Sequence, residues 1–77
     1  MINYLKYKED IYMSFGRKLR KARKDKEITQ KQLADVLGVS ESSVCDWEHD
    51  RHKPDRLDIF TNLCIVLNVP SKHFLGI

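Results

Sequence analysis

Glycine and proline are scarce in this chain of 77 residues, with three Gly and two Pro. An all-β architecture needs many turns, so this scarcity speaks against a sandwich or barrel and suits a compact helical fold. Cysteine is as scarce as proline, with two residues. Cys45 and Cys64 lie far apart, form no CxxC pair and read as reduced thiols of a cytosolic protein. Long apolar runs are missing, and none approaches the length of a membrane span. Met1 to Asp10 carries Tyr, Lys and acids where a secretory signal would need an unbroken apolar stretch. The expectation is a soluble cytoplasmic protein with no membrane partner.

What is present is an ordinary globular balance, 32% charged and 42% hydrophobic, at a length that builds one domain with a thin core. The net charge of +3 says less than its distribution. Gly16 to Gly38 holds eight Lys/Arg against three acids, whereas Val39 to Asp55 holds two against five. A concentrated basic segment suits a polyanion, because neutralised phosphates release counterions and drive binding. Such a run is also what a solvated helix face looks like.

Residues 1–13 stand apart as an N-terminal extension, with Ile2, Leu5 and Ile11 but no clear cap, and Met13 could serve as an alternative start. Residues 14–77 form the predicted domain. Ser14 caps a first helix with Phe15, Leu19 and Ala22 at helical spacing. Thr29 starts a second, with Gln32 as capping-box partner and Leu33, Ala34 and Leu37 as the buried stripe. Gly38 ends it in the left-handed region, and Ser40 caps a third that turns Val44 and Trp47 inward and Glu41, Ser42, Ser43 and Asp46 outward. After a polar break, Leu57, Phe60, Leu63, Cys64 and Leu67 pattern a fourth helix that Asn68 ends. Pro70 to Leu75 makes a short fifth, with Phe74 and Leu75 closing the core.

The informative segment is TQKQLADVLGVSESSVCDWE, Thr29 to Glu48: two short helices around a Gly-containing turn, with small Ala34 where they must cross closely. Such a pair holds its second helix out as a rod that fits the major groove. The segment closely resembles the Cro/repressor-type helix-turn-helix family. Thr29-Gln30, Leu33-Ala34, Gly38-Val39-Ser40, Val44, Trp47-Glu48 and Pro54 fall where that family places them. Leu63-Cys64 and Leu67-Asn68-Val69 match its fourth helix, with Cys64 in a slot usually filled by alanine. The resemblance covers about Gly16 to Leu75 and implies an all-α, five-helix, lambda-repressor-like domain with its motif at 29–48.

It also implies roles. Gln30, at the first turn of the second helix, would clamp a phosphate with its side chain and backbone N–H. Glu41, Ser42, Ser43 and Asp46 would meet base edges, the serines donating or accepting and the acids accepting from cytosine amino groups. Thr29 and Ser40, at the starts of the two helices, join the DNA-binding set. Arg51, Lys53 and Arg56 would reach backbone phosphates. Arg23 and Glu48 correspond to a structural salt bridge between the first and third helices. The partner implied is double-stranded DNA, bound in the major groove by a homodimer on a palindromic operator, most simply as a repressor. The dimer surface is either Phe74-Leu75-Ile77 or the N-terminal extension.

Two departures weigh against strong binding. Asp50 stands where the family usually has glycine, and Asp takes the left-handed region less freely. The recognition-helix region is net acidic, and of Glu41, Asp46, Glu48 and Asp50 only Glu48 has an expected internal partner. That acidity favours an alternative, a protein-interaction module of antitoxin or antirepressor type with weak DNA binding. Cys45, His49 and His52 have helical spacing that a metal could use, but a small-residue position and solvated histidines explain them as well. With no Ser/His/Asp constellation and no phosphate loop, neither catalysis, a cofactor, a metal nor a small-molecule ligand is expected.

Overall fold

A computed structural model of the chain describes residues 13–75. Over that stretch the fold is all-α: α1 (Phe15–Asp25), α2 (Gln30–Leu37), α3 (Glu41–Glu48), α4 (Leu57–Leu67) and α5 (Ser71–Leu75). The first three helices start on capping side chains. Ser14 accepts the N–H of Arg17 at 3.2 Å and Ser40 that of Ser43 at 3.1 Å. Thr29 and Gln32 form the full capping box, with the Gln32 N–H on Thr29 Oγ1 at 3.0 Å and the Thr29 N–H on Gln32 Oε1 at 2.8 Å. Each bond satisfies a donor that the first helical turn leaves orphaned. Gly38 ends α2 at φ 73° and Asn68 ends α4 at φ 55°. The chain therefore turns from α2 into α3 within three residues.

The core draws on every helix. Leu19, Leu33, Val44, Leu63 and Leu67 are its largest fully buried side chains, joined by Ala22, Ala34, Leu37, Trp47, Cys64 and Phe74. Each buried aliphatic of this size contributes about 1.5–3 kcal/mol, which makes these residues the main source of cohesion. Phe74 packs between Phe15, tilted against it, and Phe60, edge-on, at centroid distances of 5.3 and 6.0 Å, and so fastens α5 to α1 and α4.

The predicted core needs correction at its C-terminal edge. Leu57 is 80% exposed and Leu75 62% exposed, so neither closes the core. Both stand at the rim of an open groove between α4 and α5, where no further layer of the described residues covers them. Conversely, Lys18 falls in the basic stretch of α1 yet is buried, and its ammonium donates to the His73 carbonyl at 2.8 Å. Phe74 is buried as well, so among the described residues of the predicted C-terminal dimer surface Leu75 alone is presented. Ile77 and the extension up to Tyr12 lie outside the described residues.

Candidate nucleic-acid interface

The position of α3 is set by contacts with α1. A Cβ built on Gly16 would fall 2.5 Å from the Glu48 carbonyl oxygen and 2.6 Å from that of Trp47. The two backbones approach so closely that only glycine fits. Beside this contact Arg23 and Glu48 meet as a fork, Nε to Oε2 at 2.6 Å and Nη2 to Oε1 at 3.1 Å. Nη1 of Arg23 donates to the Ile28 carbonyl at 2.7 Å, and Nε2 of Gln30 donates to Glu48 Oε1 at 3.0 Å. Both charged groups are buried, and these bonds are what makes their burial tolerable. Arg23 and Glu48 are the two residues that the resemblance named for a salt bridge. The resemblance did not indicate that Gln30, assigned to a phosphate, turns its amide inward to the same carboxylate.

Asp50 supplies the other tie. It takes the left-handed region at φ 59°, and its Oδ1 accepts the Gly16 N–H at 2.8 Å. Hydrogen bonds from the Ser14 hydroxyl and the Gly16 N–H hold its carboxyl below the usual range, with a smaller contribution from Lys53. The departure from glycine is thus compensated: the side chain that makes the turn harder also caps the start of α1.

On the outer side, Ser40 Oγ lies 3.1 Å from Ser42 Oγ and 2.9 Å from Ser43 Oγ, a hydroxyl cluster at the N-terminus of α3. Glu41 and Ser42 are exposed, and Ser43 and Asp46 half-buried. Thr29 and Ser40 sit in their caps, exposed. The expectation that Glu48 alone of the four acids has an internal partner is overturned. Asp46 Oδ1 pairs with Arg51 Nη1 at 3.1 Å, and Asp50 holds the Gly16 N–H. Of the four, Glu41 alone has no such partner among the described residues. The three cations after α3 differ likewise. Arg51 is paired with Asp46, Arg56 donates to Asp58 at 2.8 Å, and Lys53 is exposed.

Arg17, Arg20, Lys21 and Lys24 form one stripe along α1 and, with Glu48 and His49, line a groove at the C-terminal end of α3. His49 Nδ1 lies 2.8 Å from the Cys45 carbonyl, and Cys45 Sγ 3.6 Å from the same nitrogen. Among the described residues no group of three or more His, Cys, Asp or Glu is placed to hold a metal. Burial pushes the Cys64 thiol up, which keeps it protonated.

A family model described as helix-turn-helix matches residues 19–73. The chain belongs to the Cro/repressor-type helix-turn-helix family. This helix-turn-helix protein is 33% identical over 64 residues to the HTH-type transcriptional regulator ImmR of Bacillus subtilis (strain 168). The match takes in 83% of the chain and 50% of ImmR, so the chain spans half the length of that relative. Its fold is similar to that of the P22 c2 repressor, a structure solved in complex with a synthetic operator. The TM-score is 0.76 at 24% identity, over 80% of this chain and 92% of that one.

Proposed function

We propose that this helix-turn-helix protein is a sequence-specific double-stranded-DNA-binding regulator of transcription. In this reading it is a cytoplasmic repressor that occludes a short operator, and its activity is binding rather than catalysis. The observation that carries it is the rigid presentation of α3. Gly16, Arg23–Glu48 and Asp50 anchor the helix to α1, while Glu41 and Ser42 stand exposed on it and Ser43 and Asp46 half-buried. A rod held in this way keeps its register in the major groove without ordering costs on binding. The names of the similar proteins, a transcriptional regulator and a repressor bound to operator, support the same reading.

One domain touching a few base pairs discriminates poorly, so the protein acts as a homodimer on a two-fold site with half-sites about one helical turn apart. Thr29, Gln30, Arg51, Lys53 and Arg56 supply phosphate contacts, and residues 14–77 form the DNA-binding domain behind the extension 1–13. The test is selection of binding sites from random duplex DNA at moderate salt. An enriched palindrome supports the proposal. A folded protein that enriches nothing overturns it in favour of a protein-interaction module. The acidity that favoured that alternative is partly offset in this structure, since Glu48 and Asp46 each pair with an arginine.

A further inference from the structure

We propose that Asp46 is a positioning residue that aims the Arg51 guanidinium at DNA, and not itself a reader of a base. The inference rests on the DNA-binding reading above. Arg51 is tied to residue 46 twice. Its backbone N–H donates to the Asp46 carbonyl at 2.9 Å, while Asp50, left-handed, donates to the Trp47 carbonyl at 3.1 Å. This double bond pattern is the Schellman closure of a helix end, and it fixes where the Arg51 side chain starts. The guanidinium then folds back so that Nη1 reaches Asp46 Oδ1 at 3.1 Å.

Stability does not account for the pair. The Arg51 side chain is 59% exposed and that of Asp46 34% exposed, and ion pairs in such settings contribute little to folding. An acid on a surface that meets a polyanion also lowers non-specific affinity. Held at one nitrogen by Asp46, the guanidinium keeps four of its five N–H donors for a base edge or phosphate. A fixed guanidinium loses less freedom on binding than a free one. Asp46 in turn spends part of its acceptor capacity on Arg51, which makes it the weaker candidate for a cytosine amino group.

The experiment measures affinity for the selected operator across a salt series with wild type, Asp46→Asn, Asp46→Glu, Arg51→Ala and Asp46→Asn/Arg51→Ala. Thermal melts of all five check folding. Positioning predicts that Asp46→Asn, although it removes a negative charge, weakens operator binding about tenfold. The double variant should bind no more weakly than Arg51→Ala, and Asp46→Glu should recover part of the loss. Simple electrostatics predicts the opposite sign, tighter binding by Asp46→Asn, and that result overturns the inference. Independent, additive losses overturn it too, as does a changed base preference in Asp46→Asn that Arg51→Ala lacks. Failure of wild type to enrich any operator overturns the DNA-binding reading together with it, whereas enrichment with an indifferent Asp46→Asn overturns the positioning role alone.

Discussion

Asp50 and Gly16, 34 positions apart, are joined by a hydrogen bond of 2.8 Å from the Gly16 N–H to the Asp50 carboxylate. The bond satisfies one of the orphan donors in the first turn of α1 while the Asp50 backbone closes α3, so one residue terminates one helix and starts another. Replacing Asp50 by glycine relieves the left-handed backbone but removes the cap. Each effect is about 1 kcal/mol, so Asp50→Gly is expected to be near neutral. Asp50→Ala keeps the strain and loses the cap, and should cost about 1 kcal/mol. Urea unfolding of the three proteins at neutral pH gives the order; an alanine variant as stable as wild type would remove the cap from the account.

The same carboxylate makes stability depend on acidity. Its folded-state pKa is lowered by the Ser14 hydroxyl and the Gly16 N–H. The charged form is therefore favoured by folding, and the contribution is present above the unfolded pKa of about 3.9 and lost as pH falls through the lowered value. Asp50 is exposed, so solvent screening keeps the effect small. The prediction is that the stability difference between wild type and Asp50→Asn shrinks below about pH 4. A difference that stays constant from neutral pH down to pH 3 would show that the charge is irrelevant.

Gly16→Ala should be among the most damaging small substitutions in the molecule. The added carbon meets backbone oxygens of Trp47 and Glu48 at 2.5–2.6 Å, and backbone atoms at the end of a packed helix cannot rotate aside as a side chain would. The helices must separate, at a cost of about 3 kcal/mol. The variant should melt well below wild type and lose operator binding in proportion. If a Gly16→Ala protein melted with wild type, the close approach of α1 and α3 would be wrong.

How much of this was legible beforehand follows from the range of each interaction. Ser14, Thr29–Gln32, Gly38, Ser40 and Asn68 mark helix ends through bonds within a few residues, and a linear pattern carries them. Leu33, Ala34, Leu37, Val44 and Trp47 obey helical spacing for the same reason. Leu57 and Leu75 show where periodicity fails: it reports which face is apolar, not whether another layer covers it. Gly16, Lys18 and Asp50 are governed by partners that only the tertiary fold brings near, so no linear pattern pointed to their roles. At the candidate site, Arg23 and Glu48 were legible through resemblance. The pairing of Asp46 with Arg51 was not, because local acidity counts charges without locating their partners.

Arg23→Ala should test the buried network. It would leave the Glu48 carboxylate buried beside Gln30 alone and take a donor from the Ile28 carbonyl. Breaking a buried pair from one side typically costs about 3–5 kcal/mol, a large share of what so small a domain has. A clear fall in melting temperature is expected, and replacing Glu48 by glutamine should also cost stability, because the buried Arg23 guanidinium then has no countercharge. An unchanged melt for Arg23→Ala would dissolve the proposed anchor of α3.

Gln30 and Ser42 separate affinity from specificity. The amide of Gln30 is engaged with Glu48 through Nε2, which leaves its carbonyl oxygen and one N–H for other partners, and a phosphate can take only the donor. Gln30→Ala should therefore weaken binding to every duplex alike and, because Glu48 loses a partner, lower the melting temperature slightly. Ser42 is exposed on α3, and its hydroxyl bonds only its neighbour Ser40. Ser42→Ala should leave the melt unchanged and alter preference at one base position, since hydroxyls reach base edges as donor or acceptor while phosphate contacts carry no sequence information. Repeating the site selection with each variant distinguishes the two. If Ser42→Ala retained the wild-type preference at every position and merely bound more weakly, Ser42 would belong with the phosphate contacts, and base reading would rest on Glu41 and Ser43.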